Sequence, residues 1–117
     1  MPTRFVILHH RLENSEHWDL MLEHGEVLLT WQLPIEPTGL ACFPISATRI
    51  ADHRKTYLTY EGPISGNRGT VRSIESGTVT ITELSEQECR FTLDGPRLSG
   101  DFTLSPGPGS TWTFRLA

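Results

Sequence analysis

Glycine and proline recur along this chain at short, nearly regular intervals, and the stretches between them favour short strands over long helices. Several of those stretches alternate. Within residues 77–84, Val79 and Ile81 interleave with Thr78, Thr80 and Thr82, the period of a strand with one buried and one polar face. Residues 4–9 read as the first strand. Residues 17–23 and 26–32 read as a hairpin about a His24-Gly25 turn, and Pro34 and Pro37 end the pairing. Residues 56–61, 70–74, 77–84, 89–93, 98–104 and 111–116 supply the remaining strands, while 46–52 reads as a short helix.

About eight short strands at this spacing describe an all-β fold, a small closed or nearly closed β-barrel with one or two short helices. Closure is preferred to a sandwich because it removes the edges that Thr-rich, lightly charged strands would expose. A length of 117 residues fits a single domain over 1–117 whose core needs no disulfide staples. Cys42 and Cys89 are not spaced as a zinc or redox pair and are expected to be reduced and buried. No apolar run approaches the ~20 residues of a membrane span, and the first residues lack signal-peptide character, so the expected compartment is the cytoplasm. A net charge of −4 disfavours broad electrostatic binding to nucleic acid. A local phosphate site built on a bound cation stays open.

Inside the predicted hairpin, His17 and Asp19 project to one face, roughly 6.6 Å apart along the strand, while Trp18, Leu20 and Leu22 point to the core. An imidazole and a carboxylate on one rigid strand can hold a divalent metal or position a phosphate. His9 and His10 face opposite ways at the end of the first strand, so one of them can join the pair; parity alone does not say which. Two imidazoles and a carboxylate leave open positions on Mn²⁺, Zn²⁺ or a similar ion for water and a phosphate oxygen. His24, in the turn, reads as a solvated side chain. A second cluster is Asp52-His53-Arg54-Lys55-Thr56-Tyr57. Here His53 can move a proton or bond to a phosphate and Arg54 can bind one bidentately; a solvated turn is the competing reading. The 62–69 stretch lacks the lysine and spacing of a P-loop and reads as a strand connection, with Arg68 in reach of an anion.

In this order, the pieces resemble the 3′-phosphoesterase domain of bacterial DNA ligase D, and still more the small stand-alone proteins that carry only that domain. The resemblance runs from Arg4 to Leu116. It rests on Arg4-Phe5-Val6-Ile7-Leu8 followed by His10, on His17-Trp18-Asp19-Leu20 with Leu22-Glu23, and on Trp31 at the end of the hairpin. Asp52-His53 with Tyr57, Tyr60-Glu61-Gly62, Arg97-Leu98 with Gly100, and Trp112 with Phe114 complete it. The resemblance implies a compact β-barrel and a Mn²⁺-dependent enzyme of non-homologous end joining. Such an enzyme removes a terminal 3′ ribonucleoside and then a 3′-phosphate, leaving a 3′-OH. By position it implies His10, His17 and Asp19 as metal ligands, with His53 and Tyr57 at the scissile phosphate and His53 as general acid. Mn²⁺ is the expected cofactor, Zn²⁺ or another transition metal the alternative. The implied partners are nucleic-acid 3′ ends and a repair ligase or polymerase; a monomer with no membrane association is expected.

The chain departs from the family pattern in three ways. Met21 stands where the motif usually has an arginine at the phosphate, and the His10-to-His17 spacing is one residue longer than in the ligase-linked form. The chain is also expected to lack the N-terminal extension that carries further active-site residues in the ligase-linked enzymes. Arg54 and Arg68 are the substrate-binding candidates left to compensate. The leading expectation is a metal-dependent phosphoesterase acting on nucleic-acid 3′ ends in DNA repair. The alternative, motivated by Met21, is a noncatalytic metal- or end-binding module on the same barrel.

Overall fold

In the antiparallel meander β1 (Thr3–Arg11), β2 (Glu16–His24) and β3 (Val27–Leu33), side chains alternate between two faces. Phe5, Ile7, Leu20, Leu22, Leu29 and Trp31 point to one side and are buried together. A computed structural model describes residues 2–117 of the protein, apart from the Leu40 side chain. A 3₁₀ helix (Leu40–Cys42) leads into β4 (Ile45–Arg54), and a second (Lys55–Leu58) follows it. Then come β5 (Gly62–Pro63), β6 (Thr70–Leu84), β7 (Cys89–Asp94), β8 (Ser99–Pro106) and β9 (Thr111–Leu116). The strand order β1-β2-β3-β4-β9-β8-β7-β6 closes because β1 also pairs with β6, and β5 adds a short ninth strand beside β6. The result is the closed eight-stranded barrel the spacing predicts, its interior packed by Phe91, Phe102 and Phe114 against the meander. No helix among the described residues is long and apolar enough to cross a membrane.

Three local expectations are corrected. Residues 46–52 are strand, not helix: Ile45 and Ala47 point into the core while Ser46 and Thr48 are exposed, a period of two sustained by pairing to β3 and β9. The expected strand at 56–61 is instead the Lys55–Leu58 helix and a turn in which the Thr59 and Tyr60 amides both donate to the Thr56 carbonyl. The expected strands 70–74 and 77–84 are one strand, β6, bulged where it passes Ile7 and Leu8. Gly77 does not break it. A Cβ there would stand 2.1 Å from the Asp94 carbonyl oxygen, so the glycine serves close approach of β6 to the end of β7. Both cysteines are free, but only Cys89 is buried; Cys42 is half-buried and its thiol donates to the Gly39 carbonyl.

Candidate metal and phosphate site

The outer face of the meander carries a second apolar layer. Val6, Leu8, Met21, Leu28 and Val71 are buried there beneath Leu58, with Tyr57 and Ile64 at the margin. Glu23 anchors this cover: it accepts the Arg4 amide at 2.9 Å and pairs with Lys55 at 3.2 Å, at the start of the second 3₁₀ helix. The Arg4 hydrogen bond, helped by Lys55, holds its carboxyl below the usual glutamate range.

The alternation that sends Ile7 and Leu20 inward sends His10, His17 and Asp19 to this outer face. His10 lies directly across from His17 in the β1–β2 register, and Asp19 sits one pleat along. His10 Nδ1 is 3.6 Å from Asp19 Oδ2, and His17 Nε2 is 3.3 Å from Asp19 Oδ1. One ligand atom from each of the three residues lies within 4.8 Å of the others. Asp19 is 3% exposed, and its Oδ1 has no hydrogen-bond partner, because the His17 nitrogen is in ion-pair range without hydrogen-bond alignment. A carboxylate buried with an unsatisfied oxygen is unfavourable by several kcal/mol, about the penalty that a directly ligated cation removes. The donor set, two imidazoles and one carboxylate, fits a divalent transition metal.

His10 is oriented from behind. Its Nε2 donates to the Arg68 carbonyl oxygen at 2.6 Å, which commits Nε2 to the backbone and turns Nδ1 to Asp19. That carbonyl reaches β1 because Gly69, at φ +82°, lets the turn close on Arg11; a Cβ there would stand 2.1 Å from the Arg11 carbonyl oxygen. His9 takes the opposite face, stacked on Trp18 with centroids 4.7 Å apart and bonded to Glu16 at 2.6 Å. His24 is exposed in its turn, as expected.

The second cluster arrives from β4 and the helix after it. His53 pairs across from Leu28 in β3, donates from Nδ1 to the Ala51 carbonyl at 2.9 Å, and so keeps Nε2 available. Its ring meets the edge of Tyr57 at 5.5 Å. A cavity of about 100 Å³ joins His10 and Asp19 to His53, Tyr57 and Arg68, with Met21 in its apolar wall. Arg68 is braced by Ser65, whose carbonyl accepts from Nε at 2.7 Å. Arg54 is outside this cavity. It lines an adjoining groove that shares Tyr57 and Ile64 with it. The features that sequence reading misses are backbone groups, the Arg68 and Ala51 carbonyls that orient the histidine rings. Side-chain identity carries no signal for them.

The chain matches the model of the DNA ligase D 3′-phosphoesterase domain over residues 8–105. It belongs to that family. The matched region contains the His10–His17–Asp19 cluster, His53, Tyr57 and Arg68. The chain is 31% identical over 115 aligned positions to the multifunctional non-homologous end joining protein LigD of Mycobacterium bovis. It is equally similar to the multifunctional non-homologous end joining DNA repair protein LigD of Mycobacterium tuberculosis. Each alignment takes in 92% of this chain and 15% of the relative, so the chain spans about 15% of the length of the curated relatives it matches.

Proposed function

We propose that this protein is a divalent-metal-dependent phosphoesterase that heals 3′ ends of nucleic acid in DNA repair, removing a 3′-phosphate or a 3′-ribonucleotide. The observation that carries the reading is the buried Asp19 carboxylate, set between His10 and His17 with its Oδ1 unpartnered, beside a cavity that also holds His53, Tyr57 and Arg68. Family membership supports it independently.

His10, His17 and Asp19 would hold the ion, Mn²⁺ in our reading. When bound, such an ion polarises a phosphoryl oxygen and eases deprotonation of water. Arg68 then supplies the cation that Met21 does not, binding phosphate oxygens with the guanidinium that Ser65 orients. Tyr57 donates its phenol to the same group. His53, with Nδ1 committed to the Ala51 carbonyl, would act as the imidazolium, giving its Nε2 proton to the leaving oxygen and being left as the neutral Nδ1–H form. The bracing of His53 and Arg68 by backbone carbonyls limits reorganisation when phosphate enters. In this reading the 117 residues work as one domain, a cytoplasmic monomer that hands a 3′-OH to a repair polymerase or ligase.

The test is to incubate DNA ending in a 3′-phosphate or a 3′-ribonucleotide with the protein and Mn²⁺. A Mn²⁺-dependent 3′-OH product, lost in His17→Ala, is expected; no product, or product that persists in His17→Ala, refutes the assignment. Met21 favours a second reading, because a buried thioether replaces a cation in the wall of the cavity. Under it the barrel binds metal and 3′ ends without turnover, and the same incubation yields a stable complex and no product.

A further inference from the structure

Two hollows flank the candidate site, and they differ in charge. One, of about 370 Å³ beside His17, is lined by Glu16, Gln32, Ser46 and Thr48 and has no lysine or arginine in its lining. The other, of about 230 Å³, is lined by Arg54, Thr56, Tyr60 and Ser65 and is continuous with the phosphate cavity through Tyr57 and Ile64. Among the described residues no carboxylate pairs with Arg54, since Asp52 is taken by Arg49 and Glu23 by Lys55. Of these two hollows, the one past Arg54 is the electrostatically favourable path for a polyanionic strand leaving the phosphate cavity.

That exit is also aromatic. The rings of His53 and Tyr57 meet edge to face at 5.5 Å, and those of Tyr57 and Tyr60 at 5.9 Å and 87°, so a run of three rings leads outward from the site. Tyr60, at its end, is 38% exposed, and its hydroxyl donates to the Pro63 carbonyl, which fixes the ring. A fixed, exposed aromatic face beside an unpaired guanidinium is the combination that binds single-stranded nucleic acid without sequence preference, by stacking and by phosphate contact.

We infer that Tyr60 and Arg54 form a subsite for the nucleotide on the 5′ side of the scissile phosphate. Tyr60 stacks on its base and Arg54 pairs with the next internucleotide phosphate. This rests on the proposed function, which supplies the 3′ end in the adjoining cavity. It makes the protein a reader of single-stranded or frayed 3′ ends, in which a base is free to leave its pair and stack.

The test measures binding by the intact, Mn²⁺-loaded protein to 5′-fluorescein-labelled tetrathymidylate. Its 3′ terminus carries a methylenephosphonate, which has no scissile P–O bond. Tyr60→Ala is expected to weaken binding about tenfold. Tyr60→Phe, which keeps the ring but loses the hydroxyl bond to Pro63, is expected to weaken binding less than Tyr60→Ala. Arg54→Ala is expected to lower the salt dependence of log K by about 0.7, the release of one counterion from a single strand. Competition by inorganic phosphate is expected to be unchanged in all three. If Tyr60→Ala binds as tightly as wild type, the subsite is wrong while the 3′-end reading stands. Equal weakening in Tyr60→Phe and Tyr60→Ala assigns the loss to the loop and also overturns it. If the wild-type protein itself does not bind the probe, the proposed function fails and takes the subsite with it.

Discussion

The two faces of β2 are built from adjacent residues and serve opposite ends. Leu20 and Leu22 sit on the inner face, fully buried in the apolar cluster of Phe5, Trp31 and their neighbours, which carries no charged side chain. His17 and Asp19 sit on the outer face, where a carboxylate is buried without full hydrogen bonding. The inner face stabilises the barrel by removing apolar area from water. The outer face holds polar groups in an arrangement that hydrogen bonding within the protein does not complete. Stability and chemistry are therefore separable at single-residue spacing along one strand.

The largest expected effects lie on the outer face. Asp19→Asn or His17→Ala is expected to lower kcat/KM for 3′-phosphate removal by at least about 1000-fold, the scale of several kcal/mol that a metal supplies in a phosphoryl-transfer transition state. Metal titration should show the matching loss of Mn²⁺ uptake. Asp19→Asn is not expected to lower the Tm of the metal-free protein, because the substitution removes a buried, incompletely satisfied charge. A large drop in that Tm would break the comparison.

One residue along, the signs reverse. Leu20→Ala is expected to destabilise the fold by about 2–5 kcal/mol in denaturant unfolding. Under native conditions its Mn²⁺ affinity should stay close to that of wild type. His53→Ala should lower kcat by about 100-fold, as for loss of a general acid, with Mn²⁺ binding retained. Loss of metal binding in that variant would show that the two clusters are one site in more than proximity.

The smallest effect concerns the interior alone. Burial pushes the Cys89 thiol up to about 11 from an ordinary value of 9.0. The folded state thus holds its proton where the unfolded chain releases it, so this contribution to stability is complete below pH 9 and falls as pH rises toward 11. Alkylation monitored by mass spectrometry at neutral pH should modify Cys89 only on unfolding. Prompt labelling of the native protein would mean that the inner face is less closed than its burial indicates.

What the amino-acid order makes legible follows the same division. The strands carrying His17, Asp19, Leu20 and Leu22 show a period of two, and that period assigns each residue to a face without knowledge of its partners. The barrel class follows from the number and spacing of such runs. Residues 46–52 and 56–61 depart from their expected conformations for a shared reason. Their local patterns are weak, and contacts distant in the chain decide the outcome. Pairing to β3 and β9 does so in one case, and burial of Leu58 against Met21 and Leu28 in the other.

The class of fold and the placing of His17 with Asp19 on one side of a strand thus follow from the order of residues alone, because strand geometry is local. That His10 rather than His9 joins them is a tertiary outcome, since it depends on the β1–β2 register. The folded barrel also brings His53, Tyr57 and Arg68 to the same cavity and leaves Arg54 outside it. Of these, Tyr57 sits in a helix of one turn and Arg68 in a glycine turn, and both positions are set by the apolar layer they cover and by the approach of Gly69 to Arg11. Contacts between residues distant in the chain fix both, and no local pattern encodes them.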